Sequence, residues 1–269
     1  MDILIFIFIF CLGAIIGSFL NVVIFRLNSG KTLGGRSMCM TCSKTLSWYE
    51  LIPVISFLFQ KGKCNTCATK ISHQYPWVEF ITALVFTLIA WHFYPILLFS
   101  FSQYLLLLFT FSAIFSILIV ISVYDMRHKI IPDQMVIAFA VLSFFSMFLS
   151  KEISGSMFVL PDLYDYLSGP LYSLPFVFMF LVSGGRWMGL GDAKLAFGMG
   201  WLLGIVFTAS ALIISFWLGA IFGIFLLYLS KKKFTSNTEI PFGPFLAIST
   251  FIVFLYSVTI VDIASIFFN

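Results

Sequence analysis

Apolar residues in this chain come in long unbroken runs, not in short periodic stripes. Runs near the roughly 17–25 residues that span a bilayer fall at about 3–25, 77–99, 101–123, 134–150, 169–183, 194–209, 210–230 and 243–264. The pattern predicts an all-α polytopic membrane protein with about eight transmembrane helices. The sixth and seventh are the hardest to separate, because almost nothing polar lies between Phe207 and Ala211. Residues 26–76 break the pattern with Gly, Ser, Thr, Lys and four cysteines. The chain therefore divides into a first transmembrane helix (1–25), a small polar insert (26–76) and a multi-helix transmembrane region (77–269).

Composition strengthens this reading. Of 269 residues, 61% are hydrophobic and 10% charged, against about 25% charged in an ordinary soluble domain. Mean hydropathy is +1.08, so the solvent is largely lipid. The first run has Asp2 where a signal peptide carries a basic segment, and no small-x-small cleavage site follows it. It reads as a retained helix. No basic face interleaved with polar residues occurs, which argues against nucleic acid as a partner. With the amino terminus outside, fourteen of the fifteen Lys and Arg residues fall on the cytoplasmic side and only Lys151 outside. The positive-inside rule then predicts both termini outside and the 26–76 insert in the cytoplasm. Gly13 with Gly17, Gly200 with Gly204 and Gly219 with Gly223 are small-xxx-small pairs, candidates for close helix contacts.

Cys39-x-x-Cys42 and Cys64-x-x-Cys67 are two tight thiol pairs separated by 21 residues. Four thiolates on two turns suit tetrahedral zinc, with a zinc-ribbon-like spacing. A filled four-cysteine shell leaves no open position, so such a metal is structural. Paired disulfides are the rival, disfavoured in a reducing compartment. Cys11 reads as a small apolar residue of the first helix. His73, His92 and His128 have no partner legible in the sequence.

Ionisable residues at a membrane edge are costly and thus candidates for function. Asp125 ends the third run and Asp192 opens the sixth, within Gly189-Leu190-Gly191-Asp192-Ala193-Lys194. The helix count puts both on the cytoplasmic face. Two such carboxylates have the chemistry for acid–base hydrolysis of a peptide through one water. The plainer alternative is that each caps a helix or balances Arg127, Lys129 or Lys194, and Asp133 after Pro132 reads as a cap. A proton-coupled transporter with the two aspartates as a relay is a further alternative. Against it, no acidic residue lies deep within a helix to carry protons across.

These motifs carry a resemblance to a known family. Gly17-Ser18-Phe19-Leu20-Asn21, Arg36-Ser37, the two cysteine pairs, Leu46-Ser47-Trp48, Ile52-Pro53 and Tyr75-Pro76-Trp77-Val78-Glu79 resemble the amino-terminal part of bacterial type IV prepilin peptidases. These belong with the GxGD-type membrane aspartyl proteases. Asp125 to Asp133 is similar to the family's D-x6-P-D element, Gly189 to Lys194 to its G-x-G-D-x-K element, and Ile240-Pro241-Phe242-Gly243-Pro244-Phe245 to a motif before its last helix. The resemblance implies catalytic Asp125 and Asp192. It implies cleavage of type IV prepilin or type II secretion pseudopilin leaders at the cytoplasmic face of the bacterial inner membrane. It further implies N-methylation of the new terminus from S-adenosylmethionine, for which no site is legible. Helix dipoles suggest Asp192 as the base and Asp125 as the acid.

Overall fold

The computed structural model describes residues 2–30, 32, 34–151, 156–229 and 240–268. Lys31 and Lys231 to Lys233, counted above for orientation, lie outside them. The described residues are helical and contain no strand, only three isolated bridges. In chain order they form α1 (Asp2–Arg26), a 3-10 turn (Trp48–Leu51), α2 (Ile55–Phe59), α3 (Gln74–His92) and α4 (Tyr94–Leu97). Then follow α5 (Phe101–His128), α6 (Asp133–Ser146), α7 (Leu163–Ser183), α8 (Leu190–Leu229), α9 (Gly243–Tyr256) and α10 (Ile260–Phe268). The chain divides into two compact units, Met1–Tyr94 and Pro95–Asn269.

In the first unit α1 packs along α3. The approach is close because two glycines face it. A Cβ on Gly13 would lie 2.8 Å from the Ala83 Cα, and one on Gly17 would lie 2.7 Å from the Glu79 Cα. Buried Asn21 of α1 donates to the Gly17 and Tyr75 carbonyls, which ties the start of α3 to α1. The polar insert is strung between these two helices.

In the second unit α8 packs against α6, α7 and α9, and α5 against α6 and α9. Gly198 lies against the Phe139 ring, and a Cβ on Gly200 would lie 2.5 Å from the Ser168 carbonyl oxygen. Phe111 of α5 stacks on Phe254 of α9, and Phe115 of α5 packs against the same ring at a tilt. Outward faces carry bare apolar side chains, Phe109 at 79% exposure among them. Such faces are stable only in lipid.

Four helices among the described residues are long and apolar enough to cross a membrane: Ile3–Arg26, Phe101–His128, Leu163–Ser183 and Leu190–Tyr228; α6 and α9 are shorter apolar helices. Eight separate spans are therefore not reproduced. The main difference is in α8, a 40-residue stretch expected to part into two helices between Phe207 and Ala211. No turn-forming residue separates Phe207 from Ala211, so the chain stays helical there. It breaks instead at Gly204, whose φ of 77° and ψ of 178° are open to glycine and strained for other residues.

Candidate active site and cysteine centre

The element α5 ends at His128 because Pro132 disfavours helix in the residue before it. Lys129 closes it in the left-handed conformation, donating its N–H to the Asp125 carbonyl at 2.7 Å. Asp125 thus sits in the last turn of α5. Asp192 sits in the first turn of α8, its N–H on the Gly189 carbonyl at 3.3 Å. Both are buried. They are 67 positions apart in sequence, one closing α5 and the other opening α8.

A third segment completes this site. Gly243, the first residue of α9, donates its N–H to Asp125 Oδ2 at 2.9 Å. A Cβ there would lie 2.8 Å from the same oxygen. The Ile240–Phe245 motif therefore meets Asp125 through bare backbone, a role that no charge in the sequence advertises. It also removes the dipole argument for assigning acid and base. Asp125 lies at the negative end of α5 but takes an N–H from the positive end of α9, so helix poles do not separate the two carboxylates.

Gly191 explains part of the glycine-rich approach to Asp192. A Cβ on it would lie 2.8 Å from the Ile131 Cβ, whereas Gly189 has nothing closer than 3.7 Å. Lys194, two residues beyond Asp192 and so on a different face of α8, makes an ion pair with Asp133. Asp133 is the first residue of α6 and follows the cap position held by Pro132. Its carboxylate goes to Lys194, which corrects the reading of Asp133 as a cap. The start of α8 is thereby held against Ile131, in the connection between α5 and α6, and against the first residue of α6.

In the first unit the four cysteines converge. One sulfur from each of Cys39, Cys42, Cys64 and Cys67 lies within 4.8 Å of the others, and none is in a disulfide. The two halves repeat one backbone design. Cys39 N–H donates to the Lys44 carbonyl while Ser43 N–H donates to that of Cys39; Cys64 donates to Thr69 while Ala68 donates to Cys64. Ser43 and Ala68 both turn with positive φ, and each turn is closed by a bridge, Met38 with Thr45 and Lys63 with Lys70. The Cys39 and Cys67 sulfurs are 3.8 Å apart. That equals the edge, about 3.8 Å, of a tetrahedron with zinc–sulfur bonds of about 2.3 Å. The Thr69 hydroxyl, then its backbone N–H, hold the Cys67 thiol down to about 6. Backbone N–H groups of Cys42 and Thr41 lower Cys39. The residues fit a structural zinc ion. His73 packs on the Phe57 ring and is not among the clustered ligands.

Comparison with known proteins finds relatives along nearly the whole chain. Residues 11–93 match the family described as Bacterial Peptidase A24 N-terminal domain. Residues 112–224 match the Type IV leader peptidase family. The chain is 32% identical over 282 residues to a prepilin leader peptidase/N-methyltransferase of Pseudomonas aeruginosa, covering 93% of this chain and 90% of that protein. It is 31% identical to one of Bacillus subtilis, covering 94% and 95%, and 30% identical to one of Dichelobacter nodosus, covering 94% and 92%. No solved structure matches. Alignment at this level along nearly the whole chain leaves no doubt of descent: the chain belongs to the type IV leader peptidase family.

Proposed function

We propose that this membrane protein cleaves the leader peptides of type IV prepilins or type II secretion pseudopilins, with Asp125 and Asp192 as the catalytic pair. The observation that carries the reading is the burial of two carboxylates, 67 positions apart, one at the end of α5 and the other at the start of α8. The nearby Lys194 is engaged by Asp133. One carboxylate, ionised, takes a proton from a water as its oxygen attacks the scissile carbonyl carbon. The other, protonated, gives its proton to the carbonyl oxygen. Collapse of the tetrahedral species breaks the carbon–nitrogen bond; the first carboxyl returns its proton to the departing amine, and the second takes its proton back from the hydroxyl that becomes the new carbonyl. Like charges at short range keep one of the pair protonated, as this cycle requires. Gly243 N–H holds one oxygen of Asp125 and leaves the other for the water or substrate.

The relatives' names support a second activity, methylation of the released α-amino group, with S-adenosylmethionine supplying the methyl. The four cysteines would hold zinc as a structural element of the insert, placed in the cytoplasm of a bacterium with both termini outside. The transporter reading draws no support from the relatives.

The test is prepilin processing by purified Asp125→Asn and Asp192→Asn proteins in lipid. Each loses cleavage while remaining inserted and metal-loaded. Near-normal turnover by either variant would end the two-aspartate mechanism.

A further inference from the structure

The polar insert presents an apolar stripe to the outside. Ile55, Leu58 and Phe59 stand at helical spacing on one face of α2, with Leu58 67% and Phe59 85% exposed. Leu51 and Trp48, in the 3-10 turn before α2, add further exposed apolar surface to the segment, Trp48 at 78% exposure. Lys61 and Lys63 follow immediately and are also exposed. A soluble domain does not leave such a stripe bare without a partner.

The height of this segment says what the partner is. Val54, just before α2, donates its N–H to Glu79 Oε2 at 2.7 Å. Glu79 lies in the second turn of α3 and is buried. Gly17 touches the Glu79 Cα, and Asn21 bonds the Tyr75 carbonyl. A glutamate on a helix points back toward the helix N-terminus, so Val54 is held between the levels of Gly17 and Asn21. Counted from Asp2 at 1.5 Å per residue, those levels are roughly 22 and 28 Å along an apolar helix. The hydrocarbon layer is about 30 Å thick, so Val54 sits at its edge. The anchoring is firm enough to impose an unusual backbone: Val54 has φ 60° and ψ −50°, an outlier for a β-branched residue.

We propose that the Trp48–Phe59 stripe inserts into the bilayer interface, docking the four-cysteine insert flat on the membrane that α1 crosses. Apolar side chains enter the acyl boundary, Trp48 sits among the headgroups, and Lys61 and Lys63 meet anionic phosphates. This is the layout of an interfacial amphipathic segment. The surface is distinct from the carboxylate site and does not depend on it. Docking would fix the height of the insert relative to any substrate lying in the same membrane.

The experiment places p-benzoylphenylalanine at position 59 of the full-length protein, reconstituted in vesicles of phosphatidylcholine with phosphatidylglycerol. A second protein carrying the probe at position 109, an outward site on α5, is the positive control. After irradiation, mass spectrometry of the position-59 protein is expected to show lipid adducts, as at position 109. Adding Lys61→Gln and Lys63→Gln lowers the position-59 adduct several-fold in these vesicles and leaves position 109 unchanged. Lipid adducts at 109 with none at 59, or position-59 adducts to a second protein chain, overturn the proposal. An adduct yield indifferent to the two lysine changes removes its charge component.

Discussion

Gly243 has no side chain to do chemistry with, yet a methyl group on it would collide with the Asp125 carboxylate at 2.8 Å. Gly243→Ala keeps the N–H but pushes Asp125 away from its partner. A displacement of this order costs about 10²-fold in rate when catalytic groups are prepositioned. The expected outcome is prepilin cleavage reduced at least about 10-fold, with insertion and zinc content unchanged. Turnover equal to the parent protein would show that this hydrogen bond does not position Asp125. Asp133→Asn is a useful contrast, since it breaks only a half-exposed ion pair with Lys194. Such pairs are worth about 0–1 kcal/mol, so turnover should stay within about fivefold of the parent. The two aspartates were legible in the sequence because charge beside an apolar run is expensive. Gly243 was not, because a glycine before a proline has many bland readings and only the resemblance marked its motif.

At the scale of elements, the existence of most helices could be read from apolar runs, but their ends and breaks could not. Gly200 and Gly204 look equivalent in sequence, a pair spaced for helix contact. Gly200 does make that contact, against the Ser168 carbonyl and Gly169. Gly204 instead breaks α8. What decides between them is tertiary hydrogen bonding. The Tyr172 hydroxyl donates to the Ile205 carbonyl, and the Thr208 hydroxyl to the carbonyls of Gly204 and Met199. These bonds satisfy backbone groups that the break leaves open, and no local pattern reveals them. An alanine at 204 must adopt φ near 77° with ψ near 178°, at a cost of about 1–3 kcal/mol. Gly204→Ala should therefore lower the thermal midpoint of the detergent-solubilised protein by a few degrees. An unchanged midpoint would mean that α8 straightens at no cost.

Across the whole molecule, the sequence separated a polar cysteine insert from apolar helices, and each compact unit holds one cluster of chemistry. Sidedness rests on charge alone: a reporter fused after Lys233 should be active only in the cytoplasm, and activity outside would reverse the topology. The insert itself is small, and its stability should depend on metal and on one buried carboxylate. One zinc per chain is expected in protein purified without chelator, and Cys64→Ser should lose it together with protection from hydrogen exchange across residues 39–71. Absence of stoichiometric metal would remove the zinc centre.

Glu50 adds a pH dependence. Its carboxylate accepts the Ser47 N–H at 2.9 Å and the Asn65 amide at 3.0 Å, with Lys44 3.7 Å away. The Ser47 N–H foremost, then Asn65 and Lys44, hold it below the usual 4.5. An acid lowered by folding contributes stability that is complete above its unfolded value and is lost as pH falls through its folded one. The insert should therefore lose exchange protection on acidification below 4.5, over and above any loss of metal. Glu50→Gln separates the two causes. It should be less protected than the parent at neutral pH, because the charge that Lys44 and the N–H groups favour is gone. It should also lose less further protection in acid, because position 50 no longer takes up a proton. The measurement is hydrogen exchange of residues 39–71 in the full-length zinc-loaded protein, parent and variant, across the acid range. Parallel losses in the two proteins would assign the acid sensitivity entirely to the cysteine centre and none of it to Glu50.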